Sequence, residues 1–247
     1  MFSSTERDTL RDTLLAAARA DDRLQGAAIT GSASLGAEDR WSDIDLSFGL
    51  AKDADQAEVL SDWTARMYRD HSAVAHTDVR SRDTIYRVFL LADTLQVDIA
   101  FAPAAEFGAL APTFALVFGS AEPQPVPAPP DAANLVGMAW LYALHARSSL
   151  ARGKPWQAEY LLSGMRERIM SLACLRLGLN PYQGRGVDSL PEEVTARMVG
   201  TLVGSVEPTA LRRAFGVALE ALIHEIEAVD SELAERLTPC LREIGEW

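Results

Sequence analysis

The first 120 residues combine amphipathic helix patterns with several short apolar runs. Ser3 and Glu6 stand at capping-box spacing, and apolar residues then recur at helical intervals to about residue 22. A second helical pattern covers residues 56–69. Five apolar runs have the length of β-strands, at residues 26–30, 44–48, 73–79, 84–91 and 95–101. This order of elements predicts an α+β domain.

The connection between the last two apolar runs indicates how their strands pair. Only Ala92, Asp93 and Thr94 separate them, which is short enough for a hairpin and too short for a parallel crossover. We therefore expect a mixed sheet rather than a purely parallel one.

A proline-rich segment divides the chain. Residues 121–131 hold five prolines, which exclude a helix and favour an extended connector. The segments at 132–150, 156–177 and 209–241 then show helical periodicity, with Pro155 and Gly178 at the ends of the second. We predict a catalytic domain over residues 1–120, a linker over 121–131 and an all-α helical bundle domain over 132–247.

Composition narrows the classes of partner. The 247 residues carry a net charge of −12, opposite to the basic footprint of a nucleic-acid binder, so we expect cationic or metal-bridged ligands and no nucleic acid. Cys174 and Cys240 lack metal-ligand spacing and are expected to be buried thiols. The early charges at the start of the chain, and the lack of any run of ~18 apolar residues, predict a cytoplasmic protein without a membrane partner.

A glycine and a serine follow the first predicted strand. Gly31 permits a tight turn, and Ser32 offers a hydroxyl and an amide to phosphate oxygens. A P-loop would need Lys and then Ser or Thr after the second glycine, where this chain has Ala37 and Glu38. The turn therefore predicts a phosphate contact but not a P-loop.

Two aspartates open the second predicted strand. Asp43 and Asp45 are two residues apart, so their carboxylates point to one face while Ile44 and Leu46 point to the core. Adjacent carboxylates repel each other in a partly dry site, and a hard cation such as Mg²⁺ relieves that repulsion. Asp98 likewise interrupts the apolar run at 95–101. An isolated Asp-x-Asp is commonly a solvated strand end, but its combination with the glycine-serine turn and a third acid favours a two-metal site.

These motifs resemble those of the DNA polymerase β-like nucleotidyltransferase superfamily. Its pattern is Gly-Ser, a spacer of about ten residues, Asp-x-Asp and a third acid on a later strand; Gly31-Ser32, Asp43-Ile44-Asp45 and Asp98 match it. The helical part, with residues 152–162 and 165–170, looks like the C-terminal domain of aminoglycoside and lincosamide nucleotidyltransferases. Leu35 departs from the arginine that many relatives carry, so the expected cationic contact comes from Arg40 or from elsewhere in the chain.

The resemblance implies a Mg²⁺-dependent enzyme that transfers a nucleoside monophosphate to a hydroxyl of a small and cationic acceptor such as an aminoglycoside or lincosamide. The expected co-substrate is ATP, which donates AMP, or another nucleoside triphosphate. The resemblance implies that Asp43, Asp45 and Asp98 hold two Mg²⁺ ions, and either Asp98 or Glu159 is the base. The nucleotide-contacting residues are then expected to be Gly31, Ser32, Arg40 and Ser42.

Several alternatives remain open at this level. Glu159 resembles the acceptor-side carboxylate of some relatives, although acids at a helix start are also ordinary because they favour the positive end of the dipole. The acceptor of such an enzyme is alternatively a protein or an RNA, as in toxin-antitoxin systems. A third possibility is a nucleotide-binding module that has lost its catalytic activity. The expected oligomeric state is a monomer or a homodimer.

Overall fold

The structure, a computed structural model, describes residues 1–126 and 128–246. The chain divides into two units, Met1–Pro127 and Ala128–Trp247. This division falls within the proline-rich segment predicted as a linker over residues 121–131, of which Pro127 lies outside the described residues.

The first unit contains two long helices and six strands. The predicted capping box is confirmed, because the Ser3 side chain accepts a hydrogen bond from the backbone N–H of Glu6 and the Glu6 carboxylate accepts one from the N–H of Ser3. All five predicted strands and both helices are present to within a few residues. The elements are α1 Ser4–Arg19, β1 Leu24–Thr30, β2 Ile44–Leu50, α2 Gln56–Asp70, β3 Ala73–Ser81, β4 Thr84–Leu91, β5 Gln96–Ala102 and β6 Phe114–Gly119.

The strands form one mixed sheet, as the hairpin argument predicts. Their order is β3-β4-β5-β2-β1-β6. β4 and β5 pair antiparallel across the short connection, whereas β2 and β5 lie side by side in parallel at the centre. The two strands that carry the predicted acids are therefore direct neighbours.

The two faces of this sheet differ in chemistry. One face packs against α1 and α2 around a buried aromatic group, in which the ring of Phe48 contacts Trp63 at a centroid distance of 4.8 Å and Phe101 at 5.8 Å. Because side chains alternate along a strand, Asp45 and Asp98 lie on the opposite face. Packing on the apolar face therefore fixes the strands that carry the two acids.

β6 is absent from the sequence prediction. Its residues, FALVFG, form an apolar run of strand length without alternation, a pattern that strands and helical segments share. It pairs antiparallel with β1 at the end of the sheet, and this pairing is a tertiary contact that local sequence does not specify.

The second unit is helical, which confirms the predicted fold class of an α+β region followed by an all-α region. Pro155 occupies the first turn of its helix, and Gly178 follows the helix end with a positive φ of 69°. The α-helices described in this unit are α3 Ala132–Ala151, α4 Pro155–Arg176, α5 Glu192–Val199, α6 Pro208–Val229 and α7 Ser231–Gly245. None of the helices in the described part of the chain is long and apolar enough to cross a membrane.

Three expectations for this unit need correction. The segment predicted as one helical stretch over 209–241 is two helices, because Asp230 is extended and its carboxylate caps α7 at the N–H of Leu233. The short helix α5 was not predicted. Cys174 is buried as expected, but Cys240 is exposed on α7.

Candidate active site

Strand register brings Asp45 and Asp98 together. β2 and β5 are parallel, and Asp45 is the direct partner of Asp98 in their ladder. Neighbouring strands lie about 4.8 Å apart, and residues in register point to the same face. The two carboxylates therefore stand side by side at the centre of the sheet.

Asp43 completes a group of three acids. It immediately precedes β2 and shares the face of Asp45 by alternation. One carboxylate oxygen from each of Asp43, Asp45 and Asp98 lies within 4.8 Å of the others, and all three residues are half-buried. The structure thus brings together the three residues predicted as metal ligands.

Gln96 bridges two of these acids. Its side-chain amide donates to Asp98 Oδ1 at 3.0 Å and to Asp43 Oδ2 at 3.3 Å. One amide that donates to two carboxylates reduces their mutual repulsion and fixes their spacing. Sequence reasoning missed Gln96, although its position two residues before Asp98 on the same strand places it on the same face.

Asp98 has an unusual affinity for its proton. Burial raises the pKa of its carboxyl to about 6, the hydrogen bond from Gln96 opposes this shift, and the negative charge of Asp43 adds to it. Ionisation of this carboxyl is costly without a nearby positive charge. A bound cation that compensates the charge therefore stabilises its ionised form strongly.

The three acids fit a hard divalent cation. Mg²⁺ binds oxygen ligands at about 2.0–2.1 Å, so two oxygens on a shared ion lie about 3–4 Å apart. The oxygens of the three acids lie within 4.8 Å of one another, which is close to this range. Carboxylate oxygens are also the donors that Mg²⁺ prefers.

Gly31 provides the room that Asp45 occupies. Its φ is +62°, and a Cβ at this position would lie 1.9 Å from Asp45 Oδ2 and 2.8 Å from Asp45 Cγ. The turn after β1 therefore needs glycine for its backbone conformation and for the approach of the Asp45 carboxylate. Gly31 and Asp45, which the sequence analysis treats separately, are therefore in direct contact.

Ser32 follows within a short 3₁₀ turn, Gly31–Leu35. Its side chain is half-buried, and within the described residues it makes no hydrogen bond, which leaves its hydroxyl available. Ser34, in contrast, donates its hydroxyl to the Gly31 carbonyl at 2.7 Å and closes the turn. The predicted phosphate contact of Ser32 stays a prediction.

Arg40 and Ser42 have local structural contacts. The guanidinium of Arg40 donates to the Phe2 carbonyl at 3.2 Å and stacks on Trp41. The Ser42 hydroxyl accepts from the Asp39 N–H at 2.9 Å and donates to the Asp39 carboxylate at 3.1 Å. These contacts shape the loop before Asp43, and the predicted nucleotide contacts of Arg40 and Ser42 stay predictions.

A cavity of about 200 Å³ adjoins Asp45 and Asp98. Along β5 its floor is made of small side chains, Ala100 and Ala102, which leave the space open. Glu106, which sequence reasoning missed, lines it and accepts a hydrogen bond from the Thr84 hydroxyl at 2.6 Å. Among the described residues that line this cavity, none is Lys, Arg or His, so its charge is negative.

A larger open groove of about 800 Å³ lies elsewhere in the first unit. It is lined by residues of α2, β3 and β4, including Tyr68, His76 and Arg87, and by none of the predicted site residues. The cavity with the acids is therefore the better candidate for chemistry, despite its smaller size.

Glu159 belongs to the second unit. It lies in the second turn of α4 and accepts a hydrogen bond from the Ser163 hydroxyl at 2.7 Å, and Arg166 donates to that same hydroxyl at 2.8 Å. Its acceptor-side role stays a prediction.

Comparison with solved structures finds similarity over nearly the whole chain at low identity. An aminoglycoside 6-adenyltransferase from Bacillus subtilis is 14% identical, with 98% of this chain and 99% of that chain covered and a TM-score of 0.42. A nucleotidyltransferase-like protein from Exiguobacterium sibiricum 255-15 is 13% identical, with 94% and 79% covered and a TM-score of 0.40. No protein-family model matches the sequence, and no curated protein matches it.

Proposed function

We propose that this protein is a divalent-metal-dependent nucleotidyltransferase, which transfers AMP from ATP to a hydroxyl group of a small cationic molecule such as an aminoglycoside or a lincosamide. The observation that carries the proposal is the convergence of Asp43, Asp45 and Asp98 on one face of the sheet, within 4.8 Å of one another. The glycine turn that accommodates Asp45 adds the expected phosphate-side element.

All three acids bind metal in this scheme, and Asp98 has a second role as the base. Asp43, Asp45 and Asp98 would hold two Mg²⁺ ions, which when bound neutralise triphosphate charge and favour ionisation of the acceptor hydroxyl. The acceptor oxygen forms a bond to the α-phosphorus as the bond to pyrophosphate breaks. Asp98 is also assigned to accept the hydroxyl proton, because a carboxylate beside the attacking oxygen needs only hydrogen-bond reach to act as a base.

The charge around the cavity supports a cationic acceptor. Asp45, Asp98 and Glu106 line a space without a basic side chain among its described lining residues. Such a surface attracts an amine-bearing molecule, whereas a triphosphate needs divalent cations on the acids before it can approach them. The half-buried ring of Tyr86, whose pKa is raised by burial, adds an aromatic wall beside Ala100.

Incubation of the protein with α-labelled ATP and Mg²⁺ tests the proposal. With a panel of aminoglycosides and lincosamides, we expect labelled acceptor and pyrophosphate only when the correct acceptor is present. Asp45→Asn is expected to lose at least about 10³-fold in rate, as befits loss of a metal ligand that stabilises the transition state. Asp12→Asn, an exposed acid of α1, is the matched control and keeps wild-type activity.

The remaining outcomes of this assay would contradict the proposal in different ways. Pyrophosphate release that needs no small acceptor would indicate a protein or RNA target instead. A lack of metal and nucleotide binding by the folded wild-type protein would indicate a decayed module.

A further inference from the structure

The loop that leads into the candidate metal centre is held by a buried arginine of the first helix. Arg7 is 3% exposed, although arginine is rarely buried without a partner. Its guanidinium donates to the backbone carbonyl of Asp39 at 2.5 Å and lies 3.4 Å from that of Ser42. Ser42 immediately precedes Asp43, so Arg7 contacts the backbone from which the first acid of the motif projects.

Two acids orient this guanidinium. Arg7 Nε lies 3.2 Å from Glu38 Oε1 and also 3.2 Å from Asp8 Oδ1. Arg11, one turn further along α1, binds the same Glu38 oxygen at 2.7 Å but within the described residues makes no hydrogen bond to a loop carbonyl. Arg7 and Arg11 thus share their acidic partners and differ in whether they hold the loop.

The loop itself is short and internally bonded. The Asp39 carboxylate accepts the Trp41 N–H at 2.7 Å, and the Ser42 hydroxyl closes the turn against Asp39. Such a turn behaves as one body, so an anchor on two of its carbonyls sets the direction in which the chain enters β2. Nη1 of Arg7 contacts both carbonyls while Nε binds the two acids, and the single nitrogen of a lysine cannot occupy both positions at once.

We infer that Arg7 is a positioning residue for the metal centre, which fixes the backbone at residues 39–42 so that Asp43 stays within ligand distance of Asp45 and Asp98. The inference rests on the metal site of the proposed function. It goes beyond that function, because it assigns to the first helix a role in metal affinity.

Mn²⁺ titration of the nucleotide-free protein tests this role without any turnover. Arg7→Lys keeps the positive charge, but its one nitrogen cannot bind Glu38 and the loop carbonyls together as Nε and Nη1 of Arg7 do. We expect its Mn²⁺ affinity to fall about 10–100-fold, the usual cost of losing a group that orients metal ligands. Arg11→Lys is the matched control, and its affinity should stay within about twofold of wild type because the loop carbonyls keep their donor.

Ser42→Ala loosens the same loop without changing Arg7, and it covers the case in which Arg7→Lys does not fold. Releasing the turn at Asp39 should also weaken Mn²⁺ binding, by several-fold. Circular dichroism at the titration temperature establishes that each variant is folded.

The outcomes distinguish a failure of the Arg7 role from a failure of the metal site itself. Wild-type Mn²⁺ affinity in a folded Arg7→Lys, or in Ser42→Ala if Arg7→Lys is unfolded, overturns the positioning role while the metal site stands. Equal losses in Arg7→Lys and Arg11→Lys also overturn it, because they would trace the effect to the ion pairs alone. A wild-type protein that binds no Mn²⁺ contradicts the proposed function itself.

Discussion

Asp98→Asn is expected to give a protein that is more stable than wild type in the absence of metal and nearly inactive in its presence. The asparagine removes a charge that is costly to bury and keeps an oxygen that accepts the Gln96 amide. The rate should fall about 10²–10⁴-fold, the usual contribution of a general base. Activity within about tenfold of wild type would exclude Asp98 as the base.

The stability difference should depend on pH in a defined direction. The pKa of Asp98 is raised from 3.8 to about 6 in the folded protein, so folding favours the protonated acid. Below pH 3.8 the carboxyl is protonated in both states and has no charge penalty. As the pH rises through 6 the folded state must ionise it, and wild type loses stability that Asp98→Asn keeps.

Thermal unfolding in EDTA at pH 4 and at pH 7.5 measures this effect. Asp98→Asn should be nearly equal to wild type at the lower pH and more stable by about 1–2 kcal/mol at the higher one, a figure reduced from the full shift because the carboxyl is partly exposed. Saturating Mn²⁺ should stabilise wild type by about 2–3 kcal/mol at 100 times the dissociation constant, and the variant much less. A wild-type protein whose stability relative to the variant rises with pH in EDTA would contradict this electrostatic assignment.

Gly31→Ala is expected to displace Asp45 and to weaken metal binding at least about tenfold, since the first ligand shell tolerates little movement. The new Cβ would lie 1.9 Å from Asp45 Oδ2, a separation that requires the carboxylate to leave its position. The positive φ adds a backbone cost of about 1–2 kcal/mol for a residue with a side chain.

Gly36→Ala separates these two effects. Gly36 has nearly the same φ, +63°, but a Cβ there would meet no atom within 4 Å. We expect both variants to lose similar backbone stability in thermal unfolding and only Gly31→Ala to lose Mn²⁺ affinity. Equal Mn²⁺ affinities in the two variants would show that the space beside Gly31 is not needed by the metal site.

The parts of the site that sequence predicts are those encoded by short-range spacing. Alternation places Asp43 and Asp45 on one face, and the structure has them there. The nearness of Asp98 depends on which strands become neighbours, and only the parallel register of β2 with β5 shows it to be the direct partner of Asp45. The sequence shows only that Asp98 is an acid within an apolar run, whereas the strand pairing shows that it lies beside Asp45.

Other contacts lie outside the reach of sequence patterns because they depend on packing between distant segments. In the sequence Arg7 is an ordinary arginine of a predicted helix, but in the structure it donates to the carbonyl of Asp39, 32 residues away. Gly31 reads as a turn residue, whereas its contact with Asp45 joins two strands. β6 is specified by its pairing with β1 more than by its own pattern.

The contacts of Arg40 could not be predicted from residue type. Its guanidinium donates to the Phe2 carbonyl and stacks on Trp41, and both contacts depend on how the start of the chain packs against this loop. Its contact with the triphosphate stays a prediction.

Calorimetric titration of Mn²⁺ into nucleotide-free wild type and Asp45→Asn at neutral pH tests most directly whether the three acids form a cation site. We predict saturable binding by wild type that is at least about 100-fold weaker in Asp45→Asn, with Asp12→Asn unchanged. Equal binding by wild type and Asp45→Asn, or none by either, would contradict this prediction.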